Sequence, residues 1–135
     1  MTDFRKVTDD FSVAPQIALS DVPRAKAEGF VLLINNRPDG ETPDQPASAE
    51  FEAAAQAAGL AYAYIPVRGG PTQEQVAAEH RLLAETQGPV LAWCRSGTRS
   101  ITTWTIGEAI AGTRSNQELI QLAAGAGYDM SGLLG

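Results

Sequence analysis

Three short apolar runs, each set between helix signals, constrain this chain more than any other feature. Phe30-Val31-Leu32-Leu33-Ile34 is continuous, partly β-branched and too short for a helix, so it reads as a strand buried on both faces. Ala61 to Val67 and Pro89-Val90-Leu91-Ala92-Trp93 read as two further strands. Helices fill the gaps. Ser20 is a candidate N-cap for a helix over Asp21 to Glu28, with Pro23 in the first turn and Gly29 as the stop. Ser48 opens a helix through Ala58 that Gly59 closes. Thr72-Gln73-Glu74-Gln75 is a capping box for a helix to about Thr86, and Ser115-Asn116-Gln117-Glu118 is a second one, for a helix ending near Gly125 or Gly127. Between these lies a helix that ends near Ala111. Alternating strands and helices predict an α/β fold of three layers, a mainly parallel central sheet flanked by helices. The 135 residues suit a single domain over 11–135, and the polar residues 1–10 are expected to be a flexible lead.

In a parallel sheet, ligands bind beyond the carboxyl ends of the strands. Arg37 comes after the first run, Arg68 after the second, and Cys94, Arg95 and Arg99 after the third. The chain as a whole carries a net charge of −6, so this is a local positive site in an acidic protein, and it predicts a small anionic ligand. The same acidic balance argues against nucleic acid and anionic membranes as partners. One cysteine and one histidine leave no disulfide framework and no Cys/His metal cluster, so neither a metal nor another cofactor is expected. No apolar run approaches the roughly 20 residues of a membrane span, and no signal peptide is visible, so a cytoplasmic location is expected.

Cys94-Arg95-Ser96-Gly97-Thr98-Arg99-Ser100 joins the third strand to the next helix. A Gly-containing loop of this kind turns backbone N–H groups inward, and the helix N-terminus adds partial positive charge. These donors favour a thiolate at Cys94. Arg99 closes the loop and can grip an oxyanion with two parallel N–H bonds. Gly97 permits a backbone conformation or a close ligand approach that a side chain forbids. Arg95, Ser96, Thr98 and Ser100 complete the anion-binding set, with the Ser100 hydroxyl a candidate donor to the sulfur. A lone cysteine after an apolar strand is ordinarily a small core residue. The strand before it, Gly97 three residues on and Arg99 five residues on set Cys94 apart.

The loop, together with Ile34-Asn35-Asn36-Arg37-Pro38-Asp39-Gly40-Glu41 and Ala61-Tyr62-Ala63-Tyr64-Ile65-Pro66-Val67, resembles the β-lactamase-hydrolase-like phosphatase-like family (DUF442) over about Phe11 to Ala111. The resemblance implies a protein-tyrosine-phosphatase-like fold, a nucleophilic Cys94 and an oxyanion-binding Arg99. Members are described as phosphatase-like or as sulfurtransferases. Some are fused to a metal-dependent persulfide dioxygenase, which for this chain is expected to be a separate protein.

Two features weigh sulfur transfer against phosphate hydrolysis. Four residues separate Cys94 from Arg99, one fewer than in tyrosine phosphatases and equal to the rhodanese spacing. The segment Arg68-Gly69-Gly70-Pro71 after the second strand offers no carboxylate as general acid, leaving Asp39, Glu41 or Asp44 as substitutes, Asp39 first. The expected function is therefore a rhodanese-like sulfurtransferase. It moves sulfane sulfur from thiosulfate or glutathione persulfide, through a Cys94 persulfide, to a thiol acceptor. A cysteine-dependent phosphatase working through phosphocysteine is the alternative, and a non-catalytic anion or redox sensor is the third reading. Asn36, Arg37 and Arg68 are candidate ligand contacts. Each also has a plain structural reading: a turn amide, an Arg37–Asp39 salt bridge, a surface charge. His80, Trp93 and Trp104 read as structural.

Overall fold

The computed structural model describes residues 2–134. The chain runs β1 (Arg5–Thr8), β2 (Phe11–Ala14), α1 (Asp21–Ala27), β3 (Leu32–Asn35), α2 (Ser48–Ala58), β4 (Ala61–Tyr64), α3 (Gln73–Glu85), β5 (Val90–Trp93), α4 (Thr98–Ala111), α5 (Asn116–Gly125) and α6 (Ser131–Leu134). One five-stranded sheet has the order β1-β2-β5-β3-β4. Strands β2, β5, β3 and β4 are parallel, and β1 is antiparallel to β2 at one edge.

Side-chain alternation along the strands divides the core between the two faces of the sheet. Leu33, Leu91 and Trp93 point to one face, where Val22 and Ala25 of α1 and Phe51 and Ala55 of α2 cover them. Leu32, Ile34, Val90 and Ala92 point to the other, under Ile101 and Trp104 of α4 and Leu119 and Ala123 of α5. Both faces are covered, which is why the runs in β3 and β5 are continuously apolar. The three-layer architecture is the one expected. Among the described residues no helix is long and apolar enough to cross a membrane.

The expectation of a flexible lead over 1–10 does not hold for Arg5–Thr8, which form the edge strand β1 with Arg5 opposite Val13. An edge strand needs only one apolar face. Val7 is buried there while Lys6 faces solvent, and charges of that kind discourage further strands from adding. Phe11–Ala14, too short and mixed to read as an element from its residues, is a fully buried strand between β1 and β5. Its Phe11 ring stacks on Trp104 at 5.3 Å.

The element ends depart from expectation in small ways with clear causes. Strand β4 stops at Tyr64, short of Pro66, which has no N–H to give to a ladder. The chain still runs alongside β3, since Ile65 N–H donates to Asn35 O and Val67 N–H to Asn36 O. At α1 Ser20 makes no side-chain cap; the Asp21 carboxylate instead accepts from Ala18 N–H. The Thr72 capping box forms in both directions, at 3.1 Å and 2.9 Å.

Phe51 is fully buried, its ring 5.0 Å from that of Trp93. Phe51→Ala should cost about 3–5 kcal/mol in urea unfolding, the sum of lost burial and a cavity the sheet cannot close. A cost below about 1 kcal/mol would show that α2 is not packed as described.

Candidate active site

Adjacent parallel strands all end at the same edge of the sheet, so the segments leaving them converge there. In the order β4-β3-β5 these segments supply Val67 and Arg68, then Asn36 and Arg37, then Cys94. Cys94 is fully buried at the end of β5. The chain turns from it into α4 through Gly97, whose φ of 93° lies in the left-handed region that favours glycine. That turn brings the Gly97 N–H to 3.1 Å from Cys94 Sγ, one inward-pointing donor where the loop was expected to supply several, and Thr98 N–H goes instead to Ser96 Oγ at 3.3 Å. Arg95, Ser96 and Thr98 are exposed on its outer side, and Arg68 is exposed beyond Val67.

Arg99, in the first turn of α4, makes the fork expected of it, with a partner supplied by the chain itself. Its Nη1 and Nη2 donate to the two carboxylate oxygens of Glu41 at 2.6 Å and 2.8 Å, and Nη1 also donates to Val67 O at 2.9 Å. Glu41 accepts in addition from Arg37 Nε at 3.0 Å. The Arg99 hydrogen bond, with Arg37 helping and burial opposing, holds the Glu41 carboxyl down at about 2. Glu41 is therefore ionised throughout the ordinary pH range. The Glu41 hydrogen bond, joined by the charge of Cys94, raises the pKa of Arg99 in turn.

Arg37 is buried, and its remaining nitrogens go to Gln16 Oε1 and Thr42 Oγ1. Its ion-pair partner is Glu41 rather than Asp39. The Asp39 carboxylate sits at the start of α2, where Oδ1 accepts from Ser48 N–H at 2.8 Å, so the candidate general acid serves as a helix cap.

Behind the loop lies a buried polar chain. Ser100 Oγ donates to Asn36 Oδ1 at 2.8 Å, so the expected bond from Ser100 to the sulfur is replaced by one to an amide. Asn36 Nδ2 donates to Ile65 O at 3.0 Å and to Glu79 Oε1 at 2.8 Å. Glu79 of α3 is buried, and sequence reasoning misses it. Its one signal is a carboxylate three residues after the buried Val76, on the helix's inward side. Burial, opposed only by the Asn36 bond, pushes its pKa up to about 7, and Glu79 Oε2 has no partner. Among the described residues no group of three or more His, Cys, Asp and Glu can hold a metal ion.

The raised value gives a signed prediction. Between the ordinary 4.5 and about 7 the folded chain keeps a proton that the unfolded chain has released. Rising pH therefore favours unfolding across that window. Relative to the parent, Glu79→Gln should gain stability as pH rises from about 4.5 to about 7 and hold the gain above it. Urea midpoints of both proteins across this range check it. Parallel profiles would show that Glu79 does not titrate there.

The family model for the phosphatase-like domain of β-lactamase hydrolase-like protein matches residues 3–111. The β-lactamase hydrolase-like protein of Agrobacterium fabrum strain C58 is 36% identical over 126 residues, which is 93% of this chain and 29% of that protein. The protein of the same name from Xylella fastidiosa Temecula1 is 41% identical over 103 residues, 76% of this chain and 24% of its own length. The chain thus spans less than a third of these curated relatives. A crystal structure from Neisseria meningitidis Z2491 with a provisional phosphatase name superposes with a TM-score of 0.85 at 27% identity, covering 97% of this chain and 93% of that one. The fold is shared with Tk-PTP in its active form, at a TM-score of 0.72 and 19% identity, covering 93% of this chain and 85% of that one. With a tyrosine-phosphatase-like fold and a family match over most of its length, the chain belongs to the family of the β-lactamase hydrolase-like phosphatase-like domain.

Proposed function

We propose that this phosphatase-like domain is a sulfurtransferase whose Cys94 carries sulfane sulfur as a persulfide. The observation that carries this reading is that each carboxylate expected as a general acid is held ionised or engaged elsewhere. Glu41 is held ionised between two guanidiniums, Asp39 caps α2, Thr42 holds the exposed Asp44 carboxyl below its ordinary value, and residues 68–71 contain no carboxylate. Hydrolysis of an alkyl or tyrosyl phosphate expels an oxyanion that needs a proton. Sulfur transfer from thiosulfate expels sulfite, which needs none. The Cys94 thiolate attacks the outer sulfur, the Cys94 S–S bond forms, the thiosulfate S–S bond breaks, and sulfite leaves with the electron pair. An acceptor thiolate then attacks the outer persulfide sulfur and restores the Cys94 thiolate. Gly97 N–H and Arg99 supply electrostatic stabilisation.

Phosphate-ester hydrolysis is the second reading, and the relatives favour it: the family description and the Neisseria structure both carry a phosphatase name. The two readings share Cys94 and Arg99 and differ in the leaving group. Comparing kcat/KM for thiosulfate, glutathione persulfide, an activated aryl phosphate and phosphotyrosine separates them. Sulfur donors should win, and mass spectrometry after thiosulfate should find one added sulfur on Cys94 that is absent from Cys94→Ser. A preference for phosphotyrosine would replace this reading with the second.

Because Glu41 fills the Arg99 fork and Cys94 is fully buried, an anionic donor enters by displacing the Glu41 carboxylate. Glu41→Gln weakens that competitor and should lower KM for thiosulfate. An unchanged KM with a fall in kcat would instead show that Glu41 holds Arg99 in its reactive orientation.

A further inference from the structure

Tyr128 lies beyond α5, outside the residues 3–111 that carry the family match, yet its side chain reaches the Cys94 loop. Its hydroxyl donates to Ser96 O at 2.8 Å and accepts from Arg5 Nη1 at 2.8 Å. The Arg5 guanidinium also lies over the ring, 5.3 Å from its centroid. The phenol is pressed against Gly97 so closely that a Cβ there would stand 2.8 Å from Tyr128 Cζ. Burial first, and then the charge of Cys94, raise the pKa of the hydroxyl against the pull of Arg5, so it stays protonated and able to donate.

Ser96 C=O and Gly97 N–H belong to one peptide unit, and in a trans peptide they point in opposite directions. On one side the oxygen is held by Tyr128, and on the other the N–H meets Cys94 Sγ at 3.1 Å. Glycine tolerates both orientations of the peptide before it, so nothing intrinsic to Gly97 prevents a flip. A flipped unit would turn the Ser96 carbonyl oxygen toward the sulfur, setting a negative dipole end against a thiolate. Opposing that flip requires a partner for the oxygen on the outside of the loop.

We propose that Tyr128 is a positioning residue that fixes the Ser96–Gly97 peptide with its N–H on Cys94, and that Arg5 supports it by polarising the hydroxyl. The proposal rests on the reading of Cys94 as the nucleophile. It links the edge strand and the C-terminal segment to the reacting sulfur without either touching the substrate. Tyr128→Phe keeps the ring and removes only the donor.

Two readouts test it. Cys94 is the only thiol in the chain, so ultraviolet thiolate absorbance against pH, with Cys94→Ser as the blank, reports that sulfur alone. In Tyr128→Phe the midpoint should move up, and kcat for thiosulfate should fall about tenfold or more, the scale of a weakened backbone donor, while KM changes little because Arg99 is untouched. Arg5→Gln, at a half-buried surface position, should move both readouts the same way by less, and it serves if Tyr128→Phe does not fold. An unmoved thiolate midpoint in both folded variants would overturn the proposal, whatever happens to melting temperature. If the parent transfers no sulfur but the midpoint still moves, the proposed reaction is wrong and the role of Tyr128 stands.

Discussion

Asn36 is the interaction on which the site depends. Every hydrogen-bonding group it owns is engaged inside the protein. Its N–H goes to Trp93 O at the end of β5, and its carbonyl receives Val67 N–H beyond β4. Its side-chain amide joins Ile65 O, Glu79 of α3 and Ser100 of α4. A fully buried amide is tolerable only when satisfied in this way, and once satisfied it ties the ends of three strands to the middle of α3 and the first turn of α4. Asn36 thus joins Trp93, which precedes Cys94, to Ser100, which follows Arg99, from behind the loop. Glu79, at the far end of the same chain, has its carboxyl pushed up to about 7 by burial, so below that pH it adds polarity without a net charge behind the loop.

Charge is arranged with equal economy on the outer side. Arg37 and Arg99 converge on one carboxylate, Glu41, which offsets one of their two positive charges. The loop over 36–47, with three prolines and no regular structure, is further held by Arg37 donating to Thr42 Oγ1, Gln45 Nε2 donating to Pro38 O and Asp39 accepting from Ser48 N–H.

The edges of the fold contribute more than their composition suggests. The β1–β2 hairpin and the segment after α5 lie far apart in sequence, but Arg5 and Tyr128 meet against the outer wall of the Cys94 loop. Backbone geometry at the Cys94 loop is thereby held from outside as well as from within.

Much of this was legible in the residues. The strands β3 and β5 were readable because both their faces are apolar, the Thr72 box because its two side chains act locally, and the Cys94, Gly97 and Arg99 loop because it joins a strand to a helix through a glycine. The strand β1 was not readable, since an edge strand buries a single residue, Val7, and looks like a polar lead. Asp39 and Ser100 were legible as polar groups in the right segments, but their partners were not: one faces α2 and the other faces Asn36. Glu41 as the occupant of the Arg99 fork, Glu79 as a buried acid and Tyr128 on the loop all depend on approaches between residues 58, 43 and 32 positions apart. Local pattern determined the layers, the parallel strands and the place of the Cys94 loop between β5 and α4, because periodicity and capping are properties of neighbouring residues. Which polar group answers which was decided only in the folded chain, because hydrogen bonding and desolvation depend on what the tertiary packing brings within about 3 Å.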